Sequence, residues 1–228
     1  MLKNKTLLIL GGSSSIGSSF INNYYKNFNT IITTYNDTYN NINNNKNVIN
    51  YKINLSKQSE LKEFKKYLIL NKLLPDIIIN LASPQLKFSR FENNNYRDYI
   101  NNFDVQLRPF LEIIKLSIEN MKINNFGKII CILSSSIVDL PSYMNPYITC
   151  KYALLGFMSG LASEYKKYNI NFLNISPSMV ETKFIVNIPN EFISLTNQKK
   201  RLLKPIDVSK FIFKIIKSKK NKKLNYYI

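Results

Sequence analysis

Seven short apolar runs punctuate the chain, at positions 6–10, 30–34, 48–53, 77–80, 128–133, 170–175 and 224–228. Several are continuous rather than alternating, as expected of strands covered on both faces. Amphipathic stretches of helix length lie between most of them. Leu61, Phe64, Lys65 and Leu68 follow one helical spacing, and Phe110, Ile113, Ile114, Ser117 and Met121 follow another. This strand–helix alternation predicts an α/β fold, a doubly wound parallel sheet with helices on both faces. There is no internal repeat and no stretch that reads as a hinge, so residues 1–228 are expected to form a single domain.

Bulk composition changes this picture little. Two cysteines, Cys131 and Cys150, are too few for a disulfide framework. Cys131 lies in an apolar run, and the pair suits a reducing, cytoplasmic compartment. The apolar N-terminal run is short and ends at Gly11-Gly12, so it reads as a first strand rather than a secretory signal. No stretch approaches the roughly 20 apolar residues that span a bilayer, so no membrane association is expected. The net charge of +18 raises the question of an anionic partner. The lysines are scattered, apart from Lys199-Lys200-Arg201 and the run 217–223, and an Asn-rich segment spans 40–47. That pattern reads as compositional drift over a solvated surface, so no nucleic-acid partner is expected.

The first strand runs directly into Gly11-Gly12-Ser13-Ser14-Ser15-Ile16-Gly17, with a helix-like segment after it. In a doubly wound sheet this turn meets the pyrophosphate of a dinucleotide. Glycine lets the backbone turn tightly and approach the ligand, and the helix N-terminus offers N–H groups to phosphate. Taken alone, such a cluster is equally a plain surface turn.

The middle of the chain is more specific. The fifth run ends in Ser134-Ser135-Ser136, and Tyr147 follows Ser134 by 13 residues. Lys151 comes four residues later, on the same face of a helix as Tyr147. Carbonyl reduction needs hydride on carbon and a proton on oxygen. A phenol, with a pKa of about 10, is a poor neutral-pH acid until a neighbouring ammonium favours the phenolate. Tyr147 is thus a candidate general acid or base, and Ser134 a candidate donor to the substrate oxygen, with Ser135 as the alternative.

In this order the turn, the strand-end serine and the Tyr-x-x-x-Lys pair resemble the short-chain dehydrogenase/reductase family over nearly the whole chain. Within it the resemblance is to 3-oxoacyl-[acyl-carrier-protein] reductase-like members. It implies a Rossmann fold, an NAD(P)-binding oxidoreductase and catalysis by Ser134, Tyr147 and Lys151. Gly11 and Gly17 match the outer glycines of the family turn, and Ser15 replaces the middle one. By the same resemblance the cofactor contacts comprise Gly11, Ser13, Ser14, Ser15, Ile16 and Gly17 at the turn. Tyr35 and Asn36 follow at the end of the second strand, and Asn54 and Leu55 after the third. Asn80 and Ala82 close the fourth strand, and Tyr147 and Lys151 hold the ribose side. Pro177, Val180 and Thr182 lie after the sixth strand, where Ser178 replaces a glycine. Gln106, 21 residues before Gly127, stands where the family has an asparagine of a proton relay, and joins the catalytic set.

The second strand ends without an acidic residue at Tyr35 or Asn36, and Asp37 comes one position later. NADP(H) is therefore slightly preferred over NAD(H). Expected substrates are small-molecule or acyl-carrier-bound carbonyls, with a sugar or polyol dehydrogenase as the alternative. A catalytically degenerate cofactor-binding protein is the third reading, favoured by Ser15, Gln106 and Ser178. The segment 183–203 would cover the substrate, with Phe184, Ile185, Ile188 and Phe192 as apolar lid residues. The resemblance also implies a homo-oligomer, a dimer or tetramer, formed through segments 96–121 and 147–168. The second of these carries Ala153, Gly156, Gly160 and Ala162.

Overall fold

A computed structural model describes residues 2–37, 45–199, 201–218 and 224–228. Residues 40–44 of the Asn-rich segment, Lys200, and 219–223 of the second lysine run lie outside the described residues. The seven expected strands form one sheet: β1 (Thr6–Leu10), β2 (Thr30–Tyr35), β3 (Val48–Lys52), β4 (Ile77–Asn80), β5 (Gly127–Ile132), β6 (Ile170–Ser176) and β7 (Asn225–Tyr227). Their order is β3-β2-β1-β4-β5-β6-β7, and every pairing is parallel. The chain winds outward from β1 in one direction, then returns and winds outward in the other from β4. The C-terminal ends of β1 and β4 therefore flank the switch point at which such sheets hold ligands.

The continuous apolar runs divide by parity, because successive strand side chains face opposite sides. Leu8, Leu10, Ile78, Ile129 and Cys131 enter one core, against α2 (Gln58–Leu70), α4 (Arg108–Ile123) and α6 (Asn145–Glu164). Leu7, Ile9, Ile77, Ile79, Ile130 and Ile132 enter the other, against α1 (Ser15–Tyr24) and α8 (Pro205–Lys217). A sheet with two apolar faces cannot be stable uncovered, so the pattern of each strand dictates helices on both sides.

The helical spacing over 96–121 resolves into more than one element. Helix α3 (Tyr96–Asn102) starts with a capping box in which Asn95 and Asp98 satisfy each other's backbone N–H groups. It joins α4 through a π-helical turn, Phe103–Leu107. One wall of the fold also carries a lysine where an apolar strand was expected. Lys128 is 5% exposed, and its ammonium donates to the carbonyls of Ile215 (3.2 Å), Ile216 (2.8 Å) and Ser218 (2.6 Å) at the end of α8. Burial pushes this ammonium down to about 8. The last carbonyls of a helix carry its negative dipole end, so a cation fits there. Among the described residues, no helix is long and apolar enough to cross a membrane.

Candidate active site

The turn after β1 is set by contacts that a side chain would break. Gly11 has φ +78°, and a Cβ on it would lie 2.8 Å from the backbone of Ala82, which follows β4. Its N–H donates to Thr34 Oγ1 (3.0 Å), and the Gly12 N–H donates to the Thr34 carbonyl (3.0 Å). The turn is thereby pinned between the ends of β2 and β4. Ser14 then caps α1, its hydroxyl accepting from the Gly17 N–H at 3.1 Å. A Cβ on Gly17 would stand 2.6 Å from the Gly12 carbonyl oxygen and 2.7 Å from the Gly12 Cα. Gly17→Ala is therefore expected to force the turn open at a cost of about 1–3 kcal/mol. Differential scanning calorimetry should show Tm lowered by roughly 2–12 °C, and an unchanged Tm would contradict this packing.

The second group assembles where β5 and β6 end. The Ser135 N–H donates to the Pro177 carbonyl (2.8 Å), which ties the loop after β5 to the loop after β6. Ser134 Oγ accepts from the Ser136 N–H at 3.2 Å. Tyr147 and Lys151 lie one turn apart near the start of α6. Lys151 is 5% exposed, and its ammonium donates to the Ile132 carbonyl at the end of β5 (2.7 Å). It sits 5.3 Å from the centroid of the Tyr147 ring. A buried lysine with a fixed carbonyl partner cannot swing to solvent, so its charge stays beside the phenol.

Both groups open onto one cleft of about 780 Å³, a size suited to a small molecule or dinucleotide. Its walls include Gly11, Ser13, Ser14, Ser15 and Ile16 from the turn, and Tyr35 and Asn36 from the end of β2. Asn54, Leu55 and Ala82 follow, with Ser134, Tyr147 and Lys151 across from them and Pro177, Val180 and Thr182 after β6. Asn54 is itself fixed, since its carboxamide oxygen accepts from the Ser56 N–H (3.0 Å) and hydroxyl (2.7 Å). Its own N–H donates to Glu60, and that bond, with the nearby Lys57 ammonium, holds the Glu60 carboxyl below its ordinary value.

Three expected residues stand behind the wall rather than on it. Gly17 is buried in the packing just described. Asn80 is 2% exposed, and its amide donates to the Gln106 carbonyl at 2.9 Å. Gln106 is fully buried in the π-helical turn, and its amide donates to Asn102 Oδ1 at 2.9 Å. The wider π-turn repeats bonds at i→i+5, as from the Arg108 N–H to the Phe103 carbonyl.

Sequence reading found only part of the pocket's other half. Thr34 completes the turn, and Leu86, Phe88, Met144 and Met179 join Phe184, Ile185, Ile188 and Phe192 on the far wall. No spacing or motif marks loop residues of that kind. The last four of these residues were expected as a lid. They lie on or beside a 3₁₀ turn (Lys183–Ile185) and α7 (Asn190–Lys199). Among the described residues, no group of His, Cys, Asp and Glu could hold a metal ion.

A cleft at the carboxyl edge of a doubly wound sheet, floored by a glycine turn, defines a dinucleotide-binding class of α/β protein. The chain belongs to the short chain dehydrogenase family, whose model matches residues 5–191. An uncharacterized oxidoreductase of Saccharomyces cerevisiae is 26% identical over 196 residues, covering 82% of this chain. The match takes in 63% of the yeast protein, so the chain spans a little under two thirds of that relative's length. A 4-hydroxyisoleucine dehydrogenase complexed with NADH superposes with TM-score 0.85 at 24% identity, over 99% of this chain and 96% of its own. A serine dehydrogenase complexed with NADP+ gives TM-score 0.84 at 17% identity, over 98% of this chain and 94% of its own. At such identities the likeness establishes a shared fold.

Proposed function

We propose that the chain works as one domain, binding NAD(P)(H) along the carboxyl edge of the sheet and reducing a carbonyl compound, or oxidising the matching alcohol. The observation that carries this reading is that Ser134, Tyr147 and Lys151 share one cleft with the Gly11–Ile16 turn. The residues present fit a dinucleotide. Gly11 packs so tightly on Ala82 that no side chain could stand there, and the start of α1 lines the same cleft. Tyr35, Asn36, Asn54 and Leu55 would hold the adenosine end, and Pro177, Val180 and Thr182 the nicotinamide end. When bound, the nicotinamide supplies or accepts the hydride. Ser134 donates a hydrogen bond to the substrate oxygen as charge gathers on it. Tyr147 gives its hydroxyl proton to that oxygen in reduction and takes it back in oxidation. Lys151, fixed by Ile132, keeps a positive charge beside the phenolate this leaves. Gln106 acts from behind the wall, through Asn80 and the π-helical turn. Nicotinamide fluorescence titration followed by a carbonyl screen, 3-oxoacyl compounds and sugars included, tests the reading; no binding of either reduced cofactor would end it.

The finer cofactor choice follows from the end of β2. Asp37 is the nearest carboxylate, and it is exposed and held by the Asn36 amide at 2.7 Å, off the cleft wall. With no acid on the wall at the end of β2 to repel a 2′-phosphate, NADPH is expected to bind modestly tighter than NADH. Parallel titrations decide it, and tenfold tighter NADH would reverse the preference.

The neighbours' cofactors accord with either choice, since one is complexed with NADH and the other with NADP+. The buried free thiols Cys131 and Cys150 suit a reducing, cytoplasmic setting. On α6, Gly156 and Gly160 are exposed, with open space where a Cβ would stand, and Tyr152 is 45% exposed beside them. A flat stripe of that kind lets a second copy approach closely, so a symmetric dimer or tetramer is expected. Light scattering at micromolar concentration should find it, and monomer alone would refute it.

A further inference from the structure

The half of the cleft beyond Tyr147 is built from apolar side chains delivered by three separate loops. Leu86, Met144 and Ile188 are each under 10% exposed, and Phe88, Tyr147, Met179, Phe184 and Ile185 pack against them. The Tyr147 ring itself lies 5.3 Å from Phe184. A substrate oxygen held at Tyr147 therefore carries its remaining atoms into this cluster.

Two amides strap the lid over the cluster. Gln85 Nε2 donates to the carbonyls of Lys183 and Phe184 (3.2 Å each), and Asn187 Nδ2 donates to the Leu86 carbonyl (2.9 Å). These two amides are thus committed to backbone, and their bonded donors are not aimed at a ligand. Three rings close the outer end, with Phe88–Phe192 at 5.1 Å, Phe88–Tyr143 at 5.1 Å and Tyr143–Phe192 at 5.8 Å. Tyr143 holds φ +68°, a left-handed conformation that an aromatic residue rarely adopts, and its carbonyl accepts from the Ser89 N–H at 2.9 Å. Strained backbone of this sort persists where surrounding contacts over-determine it.

Charged side chains on the cleft wall are few. Lys151 is bound to Ile132, while Asp139 and Lys183 are exposed residues of the rim. A substrate carboxylate or polyol pressed against Leu86, Met144 and Ile188 would lose water to side chains that offer it no donor, an unfavourable exchange. An alkyl or aryl group would exchange water for ring and methyl contacts.

We propose that this site takes a neutral carbonyl compound with an apolar alkyl or aryl body, and that Phe88 and Phe192 set that preference. The proposal rests on the reading of the cleft as a nicotinamide-dependent carbonyl site. Its test is built so that the two can fail separately. The protein is first titrated with NADPH and NADH by cofactor fluorescence. The cofactor-loaded protein is then titrated with two matched series, alkyl and aryl ketones of increasing size, and 2-oxo acids and ketoses of similar size. The change in bound-cofactor fluorescence gives affinity without requiring turnover. The expected result is binding that tightens along the ketone series and exceeds that of the charged and polyhydroxylated analogues at least tenfold. In Phe192→Ala and Phe88→Ala, which sit at the chamber's outer end, that margin should shrink several-fold while cofactor affinity is retained. Circular dichroism confirms that each variant is folded. Equal or tighter binding of the 2-oxo acids or ketoses overturns the proposal and leaves the carbonyl-site reading standing, as does a margin indifferent to both substitutions. Failure of both reduced cofactors to bind overturns the underlying reading, and the proposal with it.

Discussion

Tyr147→Phe is expected to lower turnover by a factor on the order of 10² or more, the usual contribution of a positioned general acid or base, while cofactor affinity barely changes. The substitution removes one hydroxyl. The ring would still pack on Phe184, 5.3 Å away, and α6 would still begin at Asn145. The dinucleotide contacts proposed at the turn and at the ends of β2 and β3 lie on other elements. Steady-state kinetics on any accepted substrate, beside a cofactor titration, separates the two quantities. A variant that turns over at the parental rate would remove Tyr147 from the mechanism. Gln106→Ala should behave differently, because Gln106 is fully buried and its amide bonds to Asn102. Its cost should fall first on stability and only through the wall on rate.

Lys151→Met is expected to damage both quantities at once. The ammonium is nine-tenths buried, and it is the charged group that the fold holds beside Tyr147. Its proposed bond to the nicotinamide ribose is charge-assisted, worth about 1.5–3 kcal/mol, so cofactor binding should weaken roughly 10- to 100-fold. Loss of the cation beside the phenolate should lower turnover further, by a factor comparable to that of Tyr147→Phe. The Ile132 carbonyl also loses its 2.7 Å donor, which removes a restraint on the loop carrying Ser134. Methionine retains most of the side-chain volume, so a folded protein is expected. Cofactor affinity unchanged in a folded variant would show that the lysine does not reach the ribose.

Much of this arrangement could be read in advance because it rests on local rules. Continuous apolar runs identified the covered strands, and glycines after the first of them marked the turn that Ala82 crowds. The offsets among Ser134, Tyr147 and Lys151 survived folding into one cleft because each is fixed to a strand end or a single helical turn. Other features depend on distant partners. The π-helical turn at Phe103–Leu107 leaves no mark in apolar spacing. The family resemblance puts Asn80 on the cofactor, yet its side chain turns inward to a carbonyl 26 residues away. The straps at Gln85 and Asn187 join loops about 100 residues apart, and either residue alone reads as a solvated amide.

The buried clamp at Lys128 decides how the C-terminal end of the molecule can be trimmed. Its three acceptors all come from residues 215–218, the final turn of α8 and the residue after it. A chain cut before Ile215 would lose all three acceptors together with the helix end that covers the ammonium, and with them Ile215 and Ile216 of the core. The strand that carries Lys128 ends two residues before Ser134, at the opposite edge of the sheet. Shortening at the far terminus would thus strain the member that carries the candidate chemistry, unless position 128 were made apolar in the same step.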